Sequence, residues 1–332
     1  MKKKLLITAI VGVLLVAFGV IYPKLAHQPG YINMHEHMQN EEDVEALLEI
    51  NDSFGIEKTV LLGSSDKTIY LHPTFKNYDE NNEELLKIKA KYPDEFEVLC
   101  TTYWNDPDQV AKIEECYKRG AIGVKLYNGH GSFYELPLDD PKMIPVYQYI
   151  QDHGLILLIH VNSNKYLDEF ERVLQKFPDM KTICPHFCLI SSKLNVLSTL
   201  MDRYPNLYTD TSFGYIEYTA AGFNRFSKDP NRFQKFMDQY QDRIFFGTDQ
   251  VVTNIKTKKY VHELKHVFDG YLKMLTAEEF HLQTYWPEFY DETYRGLNLP
   301  EDTLQNILID APQRLLDSVP AYEEPAEESA LE

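Results

Sequence analysis

The chain has 332 residues, 44% of them hydrophobic and 25% charged, which excludes a disordered polymer and leaves room for one large domain or two ordinary ones. Its formal charge of −18 excludes nucleic acid as a partner, because phosphates need a basic face. The same charge says little about small substrates, since a bound metal ion would dominate the local field.

The first element in chain order is membrane-like. Lys2, Lys3 and Lys4 precede an uncharged run from Leu5 to Tyr22. As a helix that run spans ~27 Å, near the thickness of a bilayer core. Residues 1–30 are therefore expected to form a transmembrane helix and linker, with the lysines cytoplasmic and the catalytic part extracytoplasmic. The alternative is a cleaved signal peptide and a secreted product, although Pro23–His27 offers no clean small-x-small cleavage site.

From Tyr31 onward short apolar runs alternate with helical patterns. Strands are expected at about 31–36, 56–62, 96–102, 121–126, 155–160, 181–185, 206–210 and 243–247. Helices are marked by polar or Pro starts followed by apolar residues at helical spacing, as in the segments opening at Glu41 and Pro141. Leu155–Ile159 and Ile244–Phe246 show no polar alternation, as in strands buried on both faces. Eight such units predict an α/β fold, a (β/α)8 TIM barrel over residues 31–317. No G-x-G-x-x-G or Walker A sequence is present, so dinucleotide and NTP sites lack their phosphate loops. Residues 251–300 are irregular and aromatic, and are expected to pack on or cap the barrel. Glu301–Leu316 reads as a terminal helix despite Pro312, and 318–332 as an acidic disordered tail.

Four of the expected strands end on metal-binding side chains: His35 and His37, His160, His186, and Asp249. Side chains alternate along a strand, so His35 and His37 share a face and two imidazoles can reach one cation. Imidazoles with a carboxylate suit zinc or a similar first-row ion. In a barrel of this class the C-terminal ends of strands carry function, and every one of these residues lies at such an end. Cys184 and Cys188 flank His186, so a Cys/His metal knuckle is one reading. The other takes Cys100, Cys116, Cys184 and Cys188 as small buried residues.

The order H-x-H, His, His, Asp at these strands resembles the amidohydrolase superfamily, and its amidohydrolase-2 branch in particular. Gly120–Tyr127, Leu158–His160, Cys184–His186, Asn206–Ser212 and Arg243–Asp249 carry that resemblance, in order, over roughly residues 31–316. It implies His35, His37, His160 and Asp249 as metal ligands, with Asp249 and His186 catalytic. The implied cofactor is a divalent ion, Zn2+ first, one or two per chain. A second ion is implied only if Lys125, ending the fourth strand, is carboxylated and bridges two metals; otherwise Lys125 contacts substrate or plugs the mouth. Tyr127, His130, Trp104 and Asn162 follow strands on the same face and are candidate substrate contacts. The implied activity is metal-dependent hydrolysis of an amide, ester or lactone in a small molecule by metal-activated water. The alternative is non-oxidative decarboxylation of an unsaturated or aromatic acid at the same site. The expected partners are that small molecule and the membrane, with homo-oligomerisation left open.

Overall fold

In the computed structural model, which describes residues 30–68, 75–255, 257–285 and 289–324, the first apolar run forms β1 (Tyr31–Met38). Helix α1 (Val44–Phe54), β2 (Ile56–Leu62), α2 (Tyr78–Lys91), β3 (Phe96–Thr101), α3 (Gln109–Lys118) and β4 (Gly123–Gly129) follow. Next come α4 (Ile144–Asp152), β5 (Ile156–Val161), α5 (Ser163–Lys176), β6 (Lys181–Ile183), α6 (Leu194–Arg203) and β7 (Leu207–Asp210). The series ends with α7 (Ile216–Lys228), α8 (Pro230–Gln239), β8 (Ile244–Phe245) and β9 (Val251–Val252). All eight expected strands are present.

Strands β1 to β8 pair in chain order and in parallel, and β9 lies parallel to β1. The chain between β8 and β9 runs along β1. Met34 N donates to Phe246 O (2.9 Å), Asp249 N to His35 O (2.8 Å) and His37 N to Gln250 O (2.9 Å), which closes the sheet into a barrel.

Two packing layers follow from the period of two along each strand. Ile32, Met34, Val60, Leu62, Leu99, Ile156, Leu158, Ile183 and Phe245 fill the interior as one cluster. Their neighbours Leu61, Val98, Cys100, Val124, Leu157 and Ile159 face the helices in a second. Ala311, Leu315 and Leu316 of the last helix plug the interior from below. That helix is α10 (Glu301–Gln305), a π turn at Asn306–Asp310, and α11 (Ala311–Asp317). Pro312 has no N–H to give, and the widened turn lies where its hydrogen bond would fall.

One irregularity positions the site. Asn33 pairs with Thr59 and Glu36 with Leu61, so three residues of β1 oppose two of β2. This β-bulge shifts the alternation by one residue. Ile32 and Met34 therefore face the interior below it, and His35 and His37 face the same interior above it.

The aromatic segment is ordered into α9 (Lys258–Thr276) and an antiparallel hairpin, β10 (Glu279–Thr284) and β11 (Tyr290–Arg295). Phe223 of α7 meets Tyr271, Phe280 and Tyr294 edge-on at centroid distances of 5.2, 5.7 and 5.6 Å, fixing the hairpin to the barrel. The four cysteines are buried, but the structure joins them as Cys100–Cys116 and Cys184–Cys188, so none is free to ligate a metal. Their Cα separations, 6.5 and 5.0 Å, suit the bond. The start of the C-terminal tail is packed: Tyr117 OH donates to Pro320 O (2.9 Å) and Lys181 Nζ to Ser318 O (2.7 Å). The expected N-terminal anchor lies in residues 1–29, outside the described residues; among those described, no helix is long and apolar enough to cross a membrane.

Candidate active site

At the C-terminal mouth, β1 and the segment after β8 bring three side chains to one point. His35 Nε2 and His37 Nε2 each lie 3.0 Å from Asp249 Oδ1, and His186 Nε2 lies 3.4 Å from Asp249 Oδ2. The other ring nitrogens decide what this means. His37 Nδ1 faces Leu62 O at 3.0 Å, His186 Nδ1 faces Ser212 O at 2.8 Å, and His35 Nδ1 faces Asp210 Oδ2 at 2.7 Å. A carbonyl or carboxylate oxygen only accepts, so each Nδ1 carries the hydrogen and each Nε2 of a neutral ring is a bare lone pair. Three lone pairs thus converge on a carboxylate, which is repulsive without a cation among them. His35 Nε2 is buried and makes no hydrogen bond. With bonds of 2.0–2.2 Å, ligand atoms around one zinc ion sit about 3 Å apart. The donors and their spacing fit a divalent ion held by His35, His37 and Asp249.

Local backbone choices make this geometry. A Cβ at Gly247 would meet His35 Cβ at 2.8 Å, so only glycine lets the eighth strand pass β1 here. Gly214 has φ +76, and a Cβ there would meet Asp249 Oδ2 at 2.7 Å. Asp249 itself is left-handed, with φ 54. After β6, His186, Phe187, Cys188 and Leu189 all have positive φ, between 52 and 59. Each such non-glycine residue costs roughly 1–2 kcal/mol, so this turn is held by its surroundings.

The electrostatics favour neutral rings at His37 and His186 and a charged ring at His35 next to two carboxylates, where a bound cation would take the place of its proton. Burial lowers the pKa of His37 and His186. Burial also disfavours a charged His35, but Asp249 and Asp210 outweigh it and raise its pKa. Burial works against ionised Asp249 and Asp210 too, yet the histidines hold Asp249 well below the carboxylate range and Asp210 at about 2. Lys125 is 1% exposed, and burial brings its pKa down to about 8 despite Asp249 and Asp210. Its Nζ sits 4.7 Å from the Tyr127 ring centroid and, among the described residues, makes no hydrogen bond or ion pair.

The remaining expected site residues are dispersed. His160 is not drawn into the His35–His37–Asp249 group; its ring lies 5.1 Å from His186 and 4.4 Å from His130. Burial pushes its pKa well below the usual value. His130 stacks on Phe133 at 4.5 Å, and burial takes its pKa to about 4. Tyr127 donates to Gly63 O at 3.0 Å beneath the mouth. Asn162 is partly exposed and precedes α5. Trp104 is 4% exposed and packed in the outer hydrophobic cluster, with its indole N–H on Glu135 Oε2 (3.0 Å).

Three residues outside the expected ligand and catalytic sets order the cluster; Asp210, at the end of the seventh strand, was expected only as a candidate substrate contact. Asp210 Oδ1 accepts from His186 N (2.9 Å), Ser212 N (3.2 Å) and Ser212 Oγ (2.7 Å), while its Oδ2 takes His35 Nδ1. Its place at the end of β7 was the available signal. Ser212 follows two residues on. Glu36 lies between the two histidines on the opposite face, accepting from Asn33 Nδ2 (2.8 Å) and from Thr248 Oγ1. Burial raises its pKa to about 8, and its Oε1 has no partner.

A family model described as Amidohydrolase matches residues 72–317, a range that starts after His35 and His37. No curated protein matches the chain. A probable 2-pyrone-4,6-dicarboxylic acid hydrolase from Acinetobacter baumannii is similar in structure at 14% identity and a TM-score of 0.54, over 87% of this chain and 99% of that one. A 2,6-dihydroxybenzoate decarboxylase from Rhizobium is similar at 15% and 0.54, over 87% and 98%. A 4-oxalomesaconate hydratase from Rhodopseudomonas palustris is similar at 13% and 0.55, over 87% and 96%. At such identities the likeness is one of fold.

Proposed function

Because the chain belongs to the amidohydrolase family, we propose that it is a metal-dependent hydrolase of a small-molecule amide, ester or lactone. The observation that carries this reading is the convergence of bare His35, His37 and His186 nitrogens on Asp249. His35, His37 and Asp249 would hold the ion; His160, the other expected ligand, stands outside that group beside His186 and His130. A divalent ion there supplies a water pKa near ~7 and polarises a bound oxygen.

The chain's own groups do the rest. Asp249 has one oxygen toward His35 and His37 and the other toward His186, so it can accept the water proton and deliver it to the leaving group. His186 Nε2 faces Asp249 Oδ2, so it can carry that same proton on its way and, while it holds it, donate to the negative charge developing on the substrate oxygen. Asp210 keeps the His35 ring in its ligating tautomer. Lys125 and Tyr127 line the floor beneath.

The test is metal analysis of the purified chain, followed by assays on lactones, anilides and aromatic acids with and without a chelator. Turnover that survives complete metal removal would refute the reading. One equivalent of metal at full activity would dismiss a carboxylated Lys125 bridge. A second reading, non-oxidative decarboxylation, is favoured by Lys125, a buried ammonium that has no carboxylate partner among the described residues and is suited to hold one. Release of carbon dioxide without uptake of labelled water oxygen would select it. The two disulfides suit an oxidising compartment, which supports an extracytoplasmic barrel tethered by the run from Leu5 to Tyr22.

A further inference from the structure

We propose that the Cys184–Cys188 disulfide is a clasp that holds the left-handed turn after β6 and thereby aims His186 at Asp249. The turn contains no glycine, yet φ is 59, 53, 52 and 56 at His186, Phe187, Cys188 and Leu189. L-residues favour the right-handed region, so a run of four such angles does not persist on local preference. Several restraints hold it, among them Asn164 Nδ2 donating to Leu189 O at 2.9 Å. The disulfide bridges the residues on either side of His186, with Cα atoms 5.0 Å apart. Phe187 is buried against Phe213 and Phe226, at centroid distances of 6.3 and 5.5 Å. His186 N donates to Asp210 Oδ1 at 2.9 Å.

Cys188, the third left-handed residue, is buried in the hydrophobic cluster, and its covalent restraint is the disulfide. Without it the turn can relax toward right-handed angles, and the ring would leave Ser212 O, on which its Nδ1–H now rests at 2.8 Å. The metal ligands His35, His37 and Asp249 lie on other segments and stay in place. The clasp is thus a positioning device for one side chain. Its effect on turnover rests on the role proposed above for His186, whereas its effect on ring geometry does not.

The experiment compares two variants of the full chain, Cys184→Ala/Cys188→Ala and Cys184→Ala/Cys188→Gly. Glycine adopts positive φ freely, so it restores the turn without the bond; alanine does not. The first readout is the 15N ring signals of His186, assigned by loss in His186→Asn. The wild type should show a neutral ring protonated at Nδ1. The alanine pair should lose that pattern and the glycine pair keep it, with metal content unchanged in both. In kcat, the alanine pair should fall about a hundredfold, the effect of misplacing a reacting group by about 1 Å, and the glycine pair should stay near wild type. In a His186→Asn background the two pairs should be indistinguishable. Wild-type ring signals in the alanine pair would overturn the proposal, as would equal loss in both pairs. If the alanine pair does not fold, the glycine pair decides alone: a retained Nδ1–H pattern supports the clasp and a lost one overturns it. Absence of turnover in every form would count against the proposed activity and leave the ring-signal result standing.

Discussion

The two ends of the same barrel strands are built on opposite terms. Below, Ile32, Met34, Leu62, Leu158 and Phe245 meet Ala311 and Leu315 in a wholly apolar interior. Above, the strands carry His35, His37, His160 and Asp210 toward their ends, with Asp249 beside them, and Lys125, in register with Leu158, lies at the boundary. Positive φ at non-glycine residues gathers at the upper end too, in His186–Leu189 and Asp249. Strain and buried charge of this kind persist only where the surroundings over-determine them. The lower half is those surroundings, and the comparison assigns stability to one end and chemistry to the other.

Substitutions on the two sides should therefore separate. The largest effect is expected from Asp249→Ala, which removes a ligand and the proton carrier; turnover should fall by about 10²–10⁴-fold, while urea unfolding of the metal-free chain shows no loss of stability. A destabilised, still active Asp249→Ala would break the division. Leu158→Ala sits two residues before His160 on the floor of the same strand, fully buried. It should cost about 2–5 kcal/mol of stability yet leave turnover per folded molecule and metal content as they are. Metal loss in Leu158→Ala at temperatures where the chain stays folded would show that the two ends are not independent.

Lys125 sharpens the comparison because it is a charge placed against folding. Its pKa of about 8 in the folded state is below the ordinary 10.5, burial being the cause. Between those values the unfolded chain binds more protons than the native one, so stability of the metal-free protein should rise from pH 8 toward 10.5. Below pH 8 the penalty is complete. Lys125→Met should remove that slope and stabilise the metal-free chain at pH 7 by about 3 kcal/mol, while lowering turnover. Unfolding curves at pH 7 and 9 check the sign; a wild type that is equally stable at both would contradict it.

What could be read in advance divides along the same line. The strand positions were legible because each is a short apolar run bounded by helix signals, and the ligand candidates because they end those runs. The bulge in β1 left a trace that periodicity alone does not use: Ile32 and Met34 have the opposite parity to His35 and His37, and both pairs must face inward. Asp210 was visible as a strand end, but its partner His35 is 175 positions away, and only closure of the barrel makes them neighbours. The disulfides and the left-handed turn were hidden for a related reason. Pro185–Leu189 has no glycine to announce positive φ, and Cys100 finds Cys116 only once α3 packs on β3. The burial of Trp104 was equally hidden, because an aromatic after a strand fits an open mouth and a packed layer alike, and its partner Glu135 is 31 positions away.

The smallest predicted effect tests whether the upper end depends on proton placement. Asp210 Oδ1 receives three donors, and Oδ2 receives only His35 Nδ1. In Asp210→Asn the carboxamide oxygen would stay with the three donors, turning its NH2 toward His35. His35 would then have to accept at Nδ1 and carry its hydrogen at Nε2, the nitrogen that faces Asp249 at 3.0 Å. An Nε2–H cannot ligate, so metal affinity should fall about 10–100-fold with little change in the unfolding midpoint of the metal-free protein. Competition with a chelator of known affinity measures this directly. An unchanged affinity would mean that His35 does not depend on Asp210 for its tautomer, and the lone-pair argument for the metal centre would lose one of its three rings.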